Sequence, residues 1–199
     1  PGLSTNTETS SLVRRIVKQC PIPFVLDADG LNGLSGHLEV IRGCKGTGIL
    51  TPHPGEMGRL TGLTISQIQS DRIGQAEKFA RDYGCNLVLK GARTIVAEPD
   101  GGIRINPTGN PALSSGGSGD VLTGMIAGFL SRGWSASKAA QAGVYMHGLA
   151  ADFLAEERGN SGVLASELLD AIPGLNASIA DGDWPLNDFP NHMDFYQPL

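Results

Sequence analysis

No run of lysines or arginines occurs anywhere in the 199 residues, and the formal net charge is −5. Nucleic acid and anionic membrane surfaces are therefore not expected as partners, although backbone N–H groups remain free to hold a few phosphates. No apolar run is long enough to span a bilayer, and no signal peptide is visible, so the expected compartment is the cytoplasm. Cysteine is scarce: Cys20, Cys44 and Cys85 are odd in number, far apart, and without metal-ligand spacing. They read as reduced thiols. What remains, 40% apolar and 18% charged residues, suits one globular domain with a substantial core.

Glycine is the one excess. Its 28 copies are about twice the usual share, and they gather in turns ahead of periodic segments. Leu12, Val13, Ile16 and Val17 form a helical stripe. "PIPFVLDADG", "GILTPHPGE" and "NLVLKG" each read as a short buried strand followed by a turn. Residues 66–83 read as one amphipathic helix capped by Ser66 and stopped by Gly84. "RTIVAEPDGGIRINP" reads as a hairpin around Asp100-Gly101-Gly102. Helices follow from Ser118 to Leu130, from Ser135 to about Glu157, and from Ala165 to Ile172. Strands alternating with helices predict an α/β fold with a mainly parallel sheet, and the three post-strand turns should converge on one sheet edge. The opening "PGLST" reads as a domain missing its beginning. Residues 1–180 are expected to form that domain and 181–199 an irregular tail.

The stretch "ALSSGGSGDVLTGMIAGFL", Ala112–Leu130, carries the chemistry. Val121, Leu122, Met125, Ile126, Phe129 and Leu130 recur as one buried helix face, which puts Gly116, Gly117 and Gly119 at its N-terminus. Unpaired N–H groups and the positive dipole end there can close around an anion. Asp120, set among those glycines, is read as a base beside a phosphate nest, the pairing that attack of a hydroxyl on a phosphoryl group requires. The bland reading, a first-turn acid after a plain turn, is weakened by the three framing glycines. Gly124 and Gly128 are read as permitting close helix packing. No Walker loop or dinucleotide fingerprint occurs. Lys90 either snorkels or reaches a phosphate, and both readings stand. His53 is fixed between two prolines, with Glu56 and Arg59 just beyond. His37, His147 and His192 have no partners in the sequence and are assigned nothing. Asp27 and Asp29 either hold a metal through water or cap the following turn with Asn32.

Taken in order, "LDADGLN", "TPHPGEMGRL", "LKGART" and "PTGNPALSSGGSGDVLTGMIAGFL" resemble the carbohydrate-kinase-like NAD(P)H-hydrate dehydratases, from about Pro1 to Gly174. The resemblance implies a ribokinase-like three-layer α/β/α fold, and repair of (6S)-hydrated NADH and NADPH (NADHX and NADPHX) with ADP, or ATP, as co-substrate and Mg²⁺. The 6-hydroxyl would be phosphorylated and phosphate then eliminated. It implies that Gly2, His53, Glu56, Arg59 and Asp120 meet the hydrated cofactor. It implies that Lys90, Gly91, Ala92, Arg93, Thr94, Asn110, Gly116, Gly117, Ser118 and Gly119 meet the nucleotide. No residue is assigned to a metal. A homo-oligomer and a working partnership with an NAD(P)H-hydrate epimerase are expected. A small-molecule kinase stopping at the phosphoester, or a non-catalytic nucleotide-binding module, are the alternatives.

Overall fold

The computed structural model describes residues 1–181; most of the tail expected over 181–199, and His192 with it, lies outside the described residues. The chain begins with α1 (Thr7–Gln19), whose Asn6 side chain accepts from the Thr9 N–H at 2.8 Å. It continues through β1 (Phe24–Leu26), α2 (Asp29–Asn32), α3 (Glu39–Arg42) and β2 (Gly48–Leu50). Then come α4 (Pro54–Thr61), α5 (Ile65–Ser70), α6 (Arg72–Tyr83) and β3 (Asn86–Leu89), and the hairpin of β4 (Ile95–Ala97) and β5 (Ile103–Ile105). A 3₁₀ turn (Pro111–Ser114) leads into α7 (Ser118–Ser131), α8 (Ala136–Arg158) and α9 (Ala165–Asp181).

The five strands found among the described residues lie side by side in chain order. β1, β2 and β3 pair in parallel, while β4 runs antiparallel to both β3 and β5, so β4 alone points against the others. Alternation along the strands divides the two faces. Leu50, Leu87, Leu89, Ile95 and Ala97 turn towards the helices α1–α6. Ile49, Val88 and Val96 turn the other way, onto Leu122, Ile126, Ala139, Ala140 and Val144 of α7 and α8. α9 packs outside those two helices through Leu168, Ala171 and Leu175. The result is three layers, α/β/α, as expected. Among the described residues no helix is long and apolar enough to cross a membrane.

Three local readings need correction. The helix expected over 66–83 is two helices, because Asp71 breaks it: its carboxylate accepts from the Gly74 N–H at 3.0 Å and caps α6. The cap of α5 is Thr64, in a reciprocal box with Gln67, and not Ser66. Gly84 does end α6, in the left-handed conformation. The last helix runs on from Ile172 to Asp181, through Pro173. Finally, a Cβ on Gly124 or Gly128 would meet nothing within 4 Å among the described residues. The close approach belongs to Gly143 of α8, where a Cβ would stand 2.5 Å from Ile126 Cγ1.

All three cysteines are free, and each precedes one of the parallel strands, at the sheet edge away from the strand exits. Burial pushes the Cys85 thiol up to about 12 and also raises that of Cys44, so neither offers a thiolate near neutral pH.

Candidate functional site

Parallel strands end together, so the turns that leave them are brought to one edge. The main-chain bonds Thr51 N–H to Leu26 O and Lys90 N–H to Pro52 O stitch the exits of β1, β2 and β3 side by side. Above this edge lies a cavity of about 710 Å³. Its wall includes His53, Glu56, Asp120, Asn110 and the whole of Lys90–Thr94, together with Gly117, Ser118 and Gly119. The structure thus brings together most of the residues singled out in the sequence.

Three are not in that wall. Gly116 is exposed one step before it. Arg59 is turned aside because its Nε donates to Asn32 Oδ1 at 2.8 Å, tying α4 to α2. Gly2 is exposed near the start of the chain, where the Ser4 N–H donates to Asp29 Oδ2 at 2.9 Å.

The glycine segment lies at the start of α7, where the sequence placed it. Gly117 takes the left-handed conformation (φ 87°) and caps α7 without any side-chain hydrogen bond. The Ser118 N–H bonds to Ser115 O, and the Asp120 and Val121 N–H groups bond to Gly117 O. Among the described residues, the N–H groups of Gly116, Gly117 and Gly119 meet no acceptor. Donors left open at a helix start attract an anion. The Asp120 carboxylate, one residue further, likewise has no hydrogen-bond or ion-pair partner among the described residues and is exposed.

Two neighbours support the start of α7 from behind through partners that the sequence does not disclose. Asp27, 4% exposed, accepts from Lys90 Nζ at 2.8 Å through Oδ1 and from Thr123 Oγ1 at 3.0 Å through Oδ2. Its side chain neither caps a turn nor stands free for a metal, so both sequence readings of Asp27 give way to an ion pair. Asp29 accepts from Ser4 and, at 3.5 Å, from Asn32 Nδ2, which keeps the turn reading.

His147 is the second. It is buried, and its Nε2 lies 3.2 Å from Ser118 Oγ at the first turn of α7. Burial pushes its pKa from 6.5 down to about 4, against a smaller opposing effect of the Ser118 main chain and with a further lowering by the Lys90 charge. Between those values the unfolded chain takes up a proton that the folded chain refuses, so stability falls as the pH drops through that window. The loss should reach about 3 kcal/mol near pH 4. In acid unfolding followed by circular dichroism, His147→Gln should lack this slope between pH 6.5 and 4. An unchanged profile would remove His147 as its source.

His53 is both a cap and a wall residue. Its Nδ1 accepts from the N–H groups of Gly55 and Glu56, at 3.0 and 3.3 Å. Glu56 returns the bond through Oε2 to the His53 N–H at 2.9 Å, completing a capping box. Since Nδ1 accepts, Nε2 carries the proton of the neutral ring, and it faces Glu56 Oε1 at 3.5 Å. Glu56 is buried, and its Oε2 also lies 3.7 Å from Lys90 Nζ.

The remaining wall is a loop pressed on α8. Asp152 accepts from the Gly109 N–H at 2.8 Å and from Asn110 Nδ2 at 2.9 Å, while Asn110 Oδ1 accepts from the Ala112 N–H. Asn110 therefore lines the cavity with its side chain already engaged. Arg72, from α6, donates to the carbonyls of Leu89 and Ala92 and sets the turn after Lys90. Ala28 and Arg93, both in the wall, hold positive φ of 50° and 56°, backbone strain that the surrounding contacts must maintain. Gly148 lets the loop approach: a Cβ there would stand 2.2 Å from Thr108 Oγ1 and 2.7 Å from its carbonyl carbon. Gly148→Ala should lower stability by about 1–3 kcal/mol, read as a shifted urea midpoint at constant slope. A midpoint within error of the parent would mean that the loop yields freely.

Among the described residues no group of three or more His, Cys, Asp or Glu could hold a metal ion.

Against known proteins, the family model described as NAD(P)H-hydrate dehydratase matches residues 1–174. The bifunctional NAD(P)H-hydrate repair enzyme of Moorella thermoacetica is 49% identical over 173 residues, which are 87% of this chain and 33% of that protein. The crystal structure of the ADP/ATP-dependent NAD(P)H-hydrate dehydratase from Bacillus subtilis, co-crystallised with ATP and Mg²⁺, superposes with a TM-score of 0.78 at 36% identity. The match covers 87% of this chain and 61% of that one. A ribokinase-like superfamily protein from Enterococcus faecalis superposes with a TM-score of 0.71 at 27% identity, over 87% of this chain and 60% of that one. The chain spans about a third of the Moorella protein and about 60% of the two crystallised chains.

Proposed function

Since the chain belongs to the NAD(P)H-hydrate dehydratase family, we propose that it holds ADP, or ATP, by its phosphates in the glycine nest and dehydrates (6S)-NADHX or NADPHX. The observation that carries this reading is one arrangement: N–H groups of Gly117 and Gly119 at the start of α7 and the carboxylate of Asp120, all without a partner among the described residues, in one cavity with Lys90. Asp120 takes the proton of the substrate's 6-hydroxyl as its oxygen attacks the terminal phosphoryl group. The nest and the Lys90 ammonium hold the charge that develops. Departure of phosphate from the ring carbon, with loss of a neighbouring ring proton, restores the dihydropyridine. Gly91, Ala92, Arg93 and Thr94 lie along the nucleotide, and His53 and Glu56 form the wall on the substrate side.

The cavity carboxylates do not amount to a metal cage, because Asp27 and Glu56 are already engaged. That fits Mg²⁺ only as an ion carried on the nucleotide's phosphates, the way it usually enters such sites. When bound there it neutralises phosphate charge.

The same reading includes a cytoplasmic setting, suited to three free thiols, a homo-oligomeric state and an epimerase partner. The test is incubation of the chain with NADHX, ADP and Mg²⁺. Recovery of absorbance at the NADH band, with one phosphate released per NADH formed, is expected. Nucleotide turnover without NADH recovery sinks the dehydratase and leaves a kinase.

A further inference from the structure

The proposed chemistry makes no use of Asp27, although its carboxylate is the most tightly held acid in the cavity wall. Its side chain is 2% exposed, and it sits at the exit of β1. Oδ1 accepts from Lys90, 63 residues on, at the exit of β3. Oδ2 accepts from Thr123 of α7, one helical turn beyond Gly119. Three elements therefore meet on one carboxylate.

Lys90 is placed by this. A Cβ on Gly119 would lie 3.4 Å from Lys90 Nζ and 3.7 Å from Asp27 Oδ2, so the ammonium stands directly against the nest. An ammonium has three N–H donors. Asp27 takes one, and Glu56 Oε2 at 3.7 Å is beyond hydrogen-bond length. Among the described residues nothing takes the other two, which are left for an anion in the cavity. A lysine on its four-carbon stem scatters among rotamers unless something holds its head, and the buried carboxylate does so before any ligand arrives.

We propose that Asp27 is a positioning residue, which fixes the Lys90 ammonium against the glycine nest so that it meets the terminal phosphate of a nucleoside diphosphate. This rests on the reading of the nest as the nucleotide phosphate site, not on the dehydration step. Its consequence is specific: Asp27, acting through Lys90, supplies preference for a diphosphate over a monophosphate. A merely structural role would weaken both nucleotides alike.

Calorimetric titration of the full chain with ADP and with AMP tests it without turnover. Lys90→Gln should lower the ratio of ADP to AMP affinity by about 10-fold, the worth of one charge-assisted hydrogen bond. Asp27→Asn should lower it by a similar factor and leave AMP affinity within about 2-fold. Asp27→Asn/Lys90→Gln should match Lys90→Gln alone, since Asp27 then has no head to hold. The double variant removes the charge at both positions, and Glu56 keeps its bond from the His53 N–H, so it supplies the comparison even if a single variant proves unstable. Equal weakening of ADP and AMP by Asp27→Asn, or losses that multiply in the double variant, would overturn the proposal. Failure of the parent chain to bind either nucleotide would overturn it together with the nest. Normal discrimination by a chain that never regenerates NADH would sink the dehydratase reading alone.

Discussion

Asp120→Asn is expected to lower turnover of NADHX by about 10²–10⁴-fold, the usual cost of losing a general base. The substitution keeps shape and hydrogen-bonding capacity, and Asp120 has no partner among the described residues to lose. Stability should therefore hold, because an exposed residue released from no contact rarely changes it by more than about 0.5 kcal/mol. The Asp120 main chain is fixed independently of its side chain by the bond from its N–H to Gly117 O at 3.0 Å. Nucleotide affinity should stay level or rise slightly, since a negative charge next to the phosphates disappears. Single-turnover rates measured beside ADP titrations separate the two effects. Near-normal turnover would reduce Asp120 to a first-turn acid and end the mechanism proposed for it.

The pattern of what the sequence discloses tracks the range of each interaction. The nest is legible because its parts are local: glycines, an acid and a helical stripe lie within nineteen residues, and helix polarity says which end is open. The hairpin is legible for the same reason, through Asp100-Gly101-Gly102 between two β-rich runs. Convergence of the turns after β1, β2 and β3 needs only parallel pairing.

Asp27 is not legible, since its role is fixed by Lys90 and Thr123, 63 and 96 residues away; nothing within "LDADGLN" separates an ion pair from a cap. His147 is hidden for a similar reason, because its partner Ser118 stands 29 residues before it on another helix. One local signal contradicts the expectation of a single helix over 66–83. "TISQIQSD" contains a Thr-x-x-Gln box and ends on an aspartate three residues before a glycine, which together mark two helix starts. Glycine is the most ambiguous letter. Gly124 and Gly128 face open space, whereas Gly143 and Gly148 on α8 make the close approaches, and no spacing rule distinguishes these pairs.

That ambiguity makes Gly119 the sharper test of the nest itself. Gly119→Ala is expected to leave the fold intact and to weaken ADP binding by about 10²-fold, near the upper worth of a hydrogen bond to a charged group. The position lies inside α7 with no left-handed backbone to strain, and alanine in a helix stabilises relative to glycine by roughly 0.5–1 kcal/mol. The added methyl meets nothing closer than Lys90 Nζ at 3.4 Å and Asp27 Oδ2 at 3.7 Å, so no protein atom need move. What it occupies is the gap between the open N–H groups and the ammonium, where the proposed function places a phosphate oxygen. A structural glycine would behave in the opposite manner, losing stability and keeping its ligand. The decisive pair of measurements is thermal unfolding and ADP titration of the same variant. A variant as stable as the parent that binds ADP with unchanged affinity would mean that the phosphates lie elsewhere in the cavity, and that the open start of α7 is only a turn.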